Sequence, residues 1–157
     1  MDQPVVVYAG FWKRFLAFII DAIIMSIASF LAIIPVLGLI GLGVGTAAAG
    51  DSDSMTGIII AAIGAYLMVC MALAVAGWLY YALMETSVNQ GTLGKMALGI
   101  KVTDLSGNRV TFGKATGRYF GKIVSGMILY IGYIMAGFTE KKQALHDIMA
   151  GCLVVIK

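Results

Sequence analysis

Charge is scarce in this sequence. Aspartate, glutamate, lysine and arginine make up 12% of its 157 residues, and hydrophobic side chains make up 61%. Soluble globular chains carry roughly 25% charged and 45–50% apolar residues. A soluble domain is therefore excluded, and a single small integral membrane domain over residues 1–157 is expected. Cysteine is rare as well. Cys70 sits in an apolar run and Cys152 near the C-terminus, without metal-ligand spacing, so neither a disulfide nor a zinc site follows. The single histidine, His146, leaves no Ser/His/Asp or Cys/His constellation, because its neighbour Asp147 is expected to point elsewhere on any regular element. No enzyme activity, cofactor or metal is expected. The net charge of +3 reflects basic residues gathered on one side of the membrane rather than a nucleic-acid partner.

Two long apolar stretches are present. The first covers residues 11–42, with Pro35 expected to bend it, since an interior proline removes a backbone hydrogen bond. It is too long for the 7–15-residue core of a signal peptide, so a retained transmembrane helix is expected behind Lys13 and Arg14. The second covers residues 57–84, long enough to cross with tilt. Trp78, Tyr80 and Tyr81 near its end fit an interfacial aromatic belt. Gly57, Ala61 and Ala65 form a small-residue ridge suited to helix packing. The loop at residues 45–56 carries Asp51 and Asp53 and no base. No Lys or Arg occurs between Arg14 and Lys95, after which Lys101, Arg109, Lys114, Arg118 and Lys122 follow closely. The positive-inside rule then puts the N-terminus and the segment after the second span in the cytoplasm, and the acidic loop outside.

The remaining third reads as a small cytoplasmic β-hairpin at residues 98–111, with the C-terminal segment 140–157 returning a third strand through Cys-Leu-Val-Val-Ile. Between them, residues 112–139 combine a basic helix with an apolar half of 17 residues at the lower limit for spanning. A re-entrant or shallow interfacial element fits this segment, with a full third span as the alternative. Gly113, Gly117, Gly121 and Ser125 form a ridge that predicts close packing, and Gly117→Leu is expected to be more damaging than Ile128→Leu. Lys114, Arg118 and Lys122 form a neighbouring basic stripe suited to anionic lipid headgroups.

Gly91-Thr92-Leu93-Gly94-Lys95-Met96 lacks the glycine spacing and the Ser/Thr of a phosphate loop, so nucleotide binding is not expected. Other motifs point to a family. Lys13-Arg14 followed by an apolar run to Asp21 opens the pattern, and Thr92-Leu93-Gly94-Lys95 with Gly99-Ile100-Lys101-Val102-Thr103-Asp104 continues it. Arg118 in the basic helix, Gln143-Ala144-Leu145-His146-Asp147 and Ala150-Gly151 complete it. In this order they resemble the RDD family of small bacterial integral membrane proteins, over nearly the whole chain. The family is named for an arginine and two aspartates. Arg14 and Asp21 match the first two, and Asp147 is matched to the second aspartate in preference to Asp104. Cys152 stands where the family often has threonine. The resemblance implies a multi-pass protein of the bacterial cytoplasmic (inner) membrane. It also implies transport, with sodium/proton exchange attributed to some members.

Asp21 is the first place to look for function, because a carboxylate facing lipid costs about 2.5–3.5 kcal/mol on insertion scales. Arg14 and Asp21 share a helix face but stand about 10 Å apart along the axis. Asp21 is thus expected to meet Arg118, Lys122, His146 or a water, and Arg14, Asp21 and Asp147 to form one polar cluster near the cytoplasmic third of the membrane. Burial favours the neutral acid and a nearby cation the carboxylate, so an aspartate between the two can exchange a proton for a monovalent cation. Two spans and a partial element cannot enclose an aqueous path, so transport requires a homo-oligomer or a partner membrane protein. The alternative is a non-transporting accessory or assembly subunit in which the same residues are a structural clasp.

Overall fold

Uninterrupted apolar sequence with few helix breakers gives two long helices, α1 (Phe11–Ala47) and α2 (Ser52–Thr86). In the computed structural model, residues 6–47, 52–128 and 131–157 are described. α1 continues through Pro35 as one helix. The stretches Phe11–Gly43 and Thr56–Thr86 are long and apolar enough to cross a membrane. The expected loop at 45–56 shrinks, because α1 extends to Ala47 and α2 begins at Ser52; its residues 48–51 lie outside the described set.

The chain divides into two compact units, residues 1–22 with 78–157, and residues 23–77. The second unit contains only the later part of α1 and the earlier part of α2, and presents Phe30, Leu31, Leu39, Met68 and Met71 outward, as lipid-facing helices do. Gly57 and Ala61 of the small-residue ridge are exposed there, and a Cβ added at Gly57 would meet nothing within 4 Å.

The first unit holds the remaining elements: α3 (Leu93–Ala97), β1 (Ile100–Asp104), α4 (Phe112–Met127), α5 (Ile131–Phe138), α6 (Leu145–Ala150) and β2 (Cys152–Ile156). β1 and β2 pair antiparallel, with Ile100 opposite Ile156 and Asp104 opposite Cys152. The predicted pairing of the C-terminal strand with residues 100–103 is thus present, whereas the second arm of the hairpin is not. Val110 and Thr111 leave the sheet: Val110 is buried in the core, and Thr111 caps α4, its hydroxyl accepting from the Lys114 amide. The edge of β1 that they were expected to cover is taken by Gln90. Its carbonyl accepts from Val102 N at 2.6 Å, and its side-chain amide donates to Val102 O at 3.1 Å. Asp104 closes a tight turn instead, accepting from the amides of Ser106 and Asn108. The other edge of β2 is covered by the chain before α1, with Ala9 N donating to Val154 O and Ile156 N to Val7 O, both at 2.9 Å. The segments leading into α1 and ending the chain therefore lie on one side. Beneath the sheet sits a core of small side chains, including Ala9, Ala17, Ala82, Val102, Ala115 and Val154.

α4 and α5 meet at a bend of 103°, the geometry of a broken span or a re-entrant element. The glycine ridge of α4 is only half used. Cβ atoms at Gly113 or Gly117 would meet nothing, whereas one at Gly121 would stand 3.1 Å from His146 Cβ. Ser125 is buried against Gly132 of α5. The expected damage from Gly117→Leu therefore has no packing basis; the close approach lies one and two turns further along.

Candidate functional site

Asp147 occupies the third position of α6, where its carboxylate accepts from the backbone N–H of Ala144 at 3.2 Å and so caps its own helix. The same carboxylate meets two arginines from distant elements. Arg14 Nη1 of α1 pairs with Oδ2, and Arg118 Nε of α4 lies 2.8 Å from Oδ1. Arg14 is further fixed by donating Nε to Ala9 O at 2.9 Å and Nη2 to Lys142 O at 2.5 Å. The planar guanidinium, with donors in a rigid fork, suits this three-way role.

Arg118 continues the chain of charges. Its Nη1 lies 3.5 Å from Oε2 of Glu85, near the end of α2. Glu85 also receives Lys95 Nζ of α3 at 2.5 Å and has Lys122 Nζ of α4 at 3.7 Å. Lys122 sits 4.2 Å over the Tyr81 ring, a favourable place for a cation. Asp147, Arg118, Glu85 and Lys95 are all buried. Six charged side chains from five helices thus form one continuous lattice, with Arg14, Lys95, Arg118 and Lys122 around Glu85 and Asp147.

Asp21 stands apart from this lattice, against the expectation of a single cluster. It is buried, and its carboxylate accepts from Thr92 Oγ1 at 2.5 Å, Gly94 N at 2.8 Å and Tyr80 OH at 3.0 Å. Its direct partners are neutral donors rather than Arg118, Lys122 or His146. The reason is geometric. The Arg14 fork is taken up by Asp147 and two carbonyls, while Asp21, two turns further along α1, faces α2 and the start of α3. Gly94 makes the approach feasible, because a Cβ there would collide with the Ala17 carbonyl.

His146 is also placed differently from expectation. Nε2 lies 3.5 Å from Asp147 Oδ1 and Nδ1 lies 3.4 Å from Ser125 Oγ. This row of serine, histidine and aspartate is not a nucleophilic triad. Ser125 donates to Gly121 O at 2.9 Å and is fully buried, and Asp147 is committed to the two arginines. Of the stripe expected to face lipid headgroups, only Lys114 is exposed; Arg118 and Lys122 turn inward because Glu85 and Asp147 attract them from other elements. Among the described residues, no group of three or more His, Cys, Asp or Glu side chains is arranged to hold a metal ion.

Over residues 8–151 the sequence matches the model of the RDD family. The chain belongs to the RDD family. Its similarity extends to two Bacillus subtilis (strain 168) proteins. One is the uncharacterized protein YxaI, 42% identical over the whole of both chains. The other is the uncharacterized membrane protein YteJ, 32% identical over 94% of this chain and 80% of the relative. No solved structure matches the chain. Within this RDD protein, the arginine and second aspartate assigned from sequence are direct partners, and the first aspartate forms a separate site.

Four participants were not singled out as site residues from the sequence: Glu85, Lys95, Thr92 and Tyr80. Glu85 carried a signal related to that of Asp21, a carboxylate closing an apolar run where Asp21 interrupts one. Thr92 and Lys95 both belong to the Thr-Leu-Gly-Lys motif that helped to identify the family.

Outside the spans, electrostatics explain the protonation pattern. Burial alone would raise the Asp147 pKa, but Arg118, Arg14 and His146 outweigh it and hold the carboxyl well below the usual carboxylate range. Burial and the Arg118 charge lower Lys95 to about 7 against the pull of Glu85. Burial likewise lowers His146 to about 3 despite Asp147, helped by Arg118, Lys122 and Lys95. A neutral folded His146 and an unfolded one near 6.5 differ in bound protons between those pH values, so stability rises with pH across that window. Stability is therefore expected to fall as pH drops from about 6.5 toward 3, by an amount on the order of several kcal/mol. His146→Gln should flatten that slope in detergent melting curves; an unchanged slope would assign the acid sensitivity elsewhere.

Proposed function

We propose that this RDD protein is a non-transporting accessory or assembly subunit of a membrane complex, whose charged residues form a structural clasp on the cytoplasmic side. The observation that carries this reading is the Arg14–Asp147–Arg118–Glu85 lattice, which uses the family's arginine and second aspartate to tie α1, α2, α4 and α6 together. The length of the helices supports it. Residues 22–43 and 56–77 each rise about 33 Å at 1.5 Å per residue, enough to cross a hydrocarbon core of about 30 Å without Asp21 or Glu85. Trp78, Tyr80 and Tyr81 then mark the interface. On this reading both termini are cytoplasmic in a bacterial inner membrane, with Lys13, Arg14 and the basic segment after α2 obeying the positive-inside rule.

A second reading, cation/proton exchange by a homo-oligomer, is favoured by one observation. Asp21 is buried without a direct cationic partner, beside the hydroxyl oxygens of Thr92 and Tyr80. Proteoliposomes containing the purified protein separate the two. The accessory reading expects sodium- and potassium-driven proton flux no greater than in protein-free vesicles, and Asp21→Asn to lower the melting temperature. Flux above that background that disappears in a normally folded Asp21→Asn variant would instead establish exchange.

A further inference from the structure

We propose that the cleft between the start of α1 and α5 is a binding site for one anionic phospholipid. This goes beyond either functional reading and does not depend on which is correct. The cleft has a volume of about 720 Å³, within the range of roughly 300–1,000 Å³ common for small-molecule sites. Its walls are apolar, with Phe11 and Trp12 on one side and Ile134 and Phe138 on the other, and its rim carries Lys13 and Lys142.

Three observations choose the occupant. First, its exposed aromatics suit a membrane surface: Trp12 and Phe138, beside the chain that leads into a spanning helix, are 72% and 87% exposed, as interfacial aromatics are. Second, its cations are uncommitted. The described ion pairs engage Arg14, Lys95, Arg118, Lys122 and His146 but neither Lys13 nor Lys142, so a phosphodiester would supply the missing negative charge. Third, Lys142 is held in place. Its backbone adopts a left-handed conformation with φ of 50°, its amide donates to Thr139 O at 3.0 Å, and its carbonyl accepts from Arg14 Nη2. The clasp thus presents the Lys142 ammonium at the cleft. Lysines beside a membrane surface attract anionic headgroups, and the apolar walls of the cleft accept the upper part of an acyl chain. The lipid contact expected of Lys114, Arg118 and Lys122 is in this way assigned instead to Lys13 and Lys142, since Arg118 and Lys122 are engaged by carboxylates.

Native mass spectrometry of the detergent-solubilised full chain tests the proposal, with phosphatidylglycerol and phosphatidylcholine added in equal amounts. Wild type is expected to retain one phosphatidylglycerol about thirtyfold more than phosphatidylcholine, on the scale of two lysines near an anionic surface. The double variant Lys13→Gln, Lys142→Gln should lose the preference and keep its melting temperature, since neither side chain joins the clasp. Gly137→Leu, which places bulk between α5 and Phe11, should reduce retention of both lipids. Equal retention of the two lipids by wild type would overturn the proposal, as would a preference that survives in the double variant. Displacement of the bound lipid by millimolar inorganic phosphate would also overturn it, because the site would then select a free anion.

Discussion

Glu85→Gln is expected to destabilise the protein by about 3–5 kcal/mol, the usual result of removing one partner from a buried ion pair. Glu85 is 1% exposed and lies within 4 Å of three cations, with Lys95 at 2.5 Å, Arg118 at 3.5 Å and Lys122 at 3.7 Å. An amide keeps the shape but leaves Lys95 and Lys122 with no local counter-charge, beside an Arg118 that keeps only Asp147. The loss comes from those stranded cations, not from the value of any one bridge. Replacing the nearest cation by an apolar side chain should therefore restore part of the stability, and the Glu85→Gln, Lys95→Met double variant should melt above Glu85→Gln alone. Thermal denaturation in detergent measures both. A Glu85→Gln protein within about 0.5 kcal/mol of wild type, the range of ordinary surface substitutions, would mean that the lattice is not buried as described.

Gly94→Ala is the second large effect expected, although it adds only a methyl group. Its Cβ would collide with the backbone carbonyl of Ala17 and approach Asp21 Cγ to 3.0 Å. The obstacle is helix backbone, which cannot swing aside as a flexible side chain would. α3 must move away from α1, and the 2.8 Å bond from Gly94 N to Asp21 is lost with it. Overpacking costs roughly 1–3 kcal/mol and a hydrogen bond to a charged group about 1.5–3, so a loss near 3 kcal/mol is expected. Gly117→Ala is the matched control. A Cβ there would meet no other part of the protein within 4 Å, and alanine is the better helix former by up to about 1 kcal/mol, so it should be neutral or stabilising. Similar melting temperatures for the two variants would contradict the close approach of α3 to α1.

These two residues also mark how far the sequence could be read. The spans were legible because length and hydropathy alone decide them, and the pairing of β1 with β2 because a short strand needs a partner. Arg14 with Asp147 followed from the family pattern and from both ends of the chain returning to one side. What periodicity could not reveal was which way α4 faces. Arg118 and Lys122 read as a lipid-facing stripe only while Glu85 and Asp147, far away in sequence, were not counted as partners. The same error placed the packing ridge at Gly117 instead of Gly121 and Ser125. Asp21 was correctly singled out as a buried carboxylate, but its neutral donors depend on a turn at residues 92–94 whose path no local pattern specifies. The hairpin was misjudged for a similar reason, since Gln90 occupies an edge that Val110 and Thr111 were expected to fill.

The central claim is that Arg14 and Asp147 form one energetic unit from which Asp21 is separate. A double-mutant cycle tests it most directly, using the unfolding free energies of Arg14→Gln, Asp147→Asn and their combination, with Asp21→Asn as the second arm. Residues sharing a network typically couple by about 0.5–3 kcal/mol, whereas independent sites add within roughly 0.3–0.5. The account predicts coupling above about 1 kcal/mol between Arg14 and Asp147, and additivity between Arg14 and Asp21. Additive effects at Arg14 and Asp147, or strong coupling of Arg14 to Asp21, would contradict it.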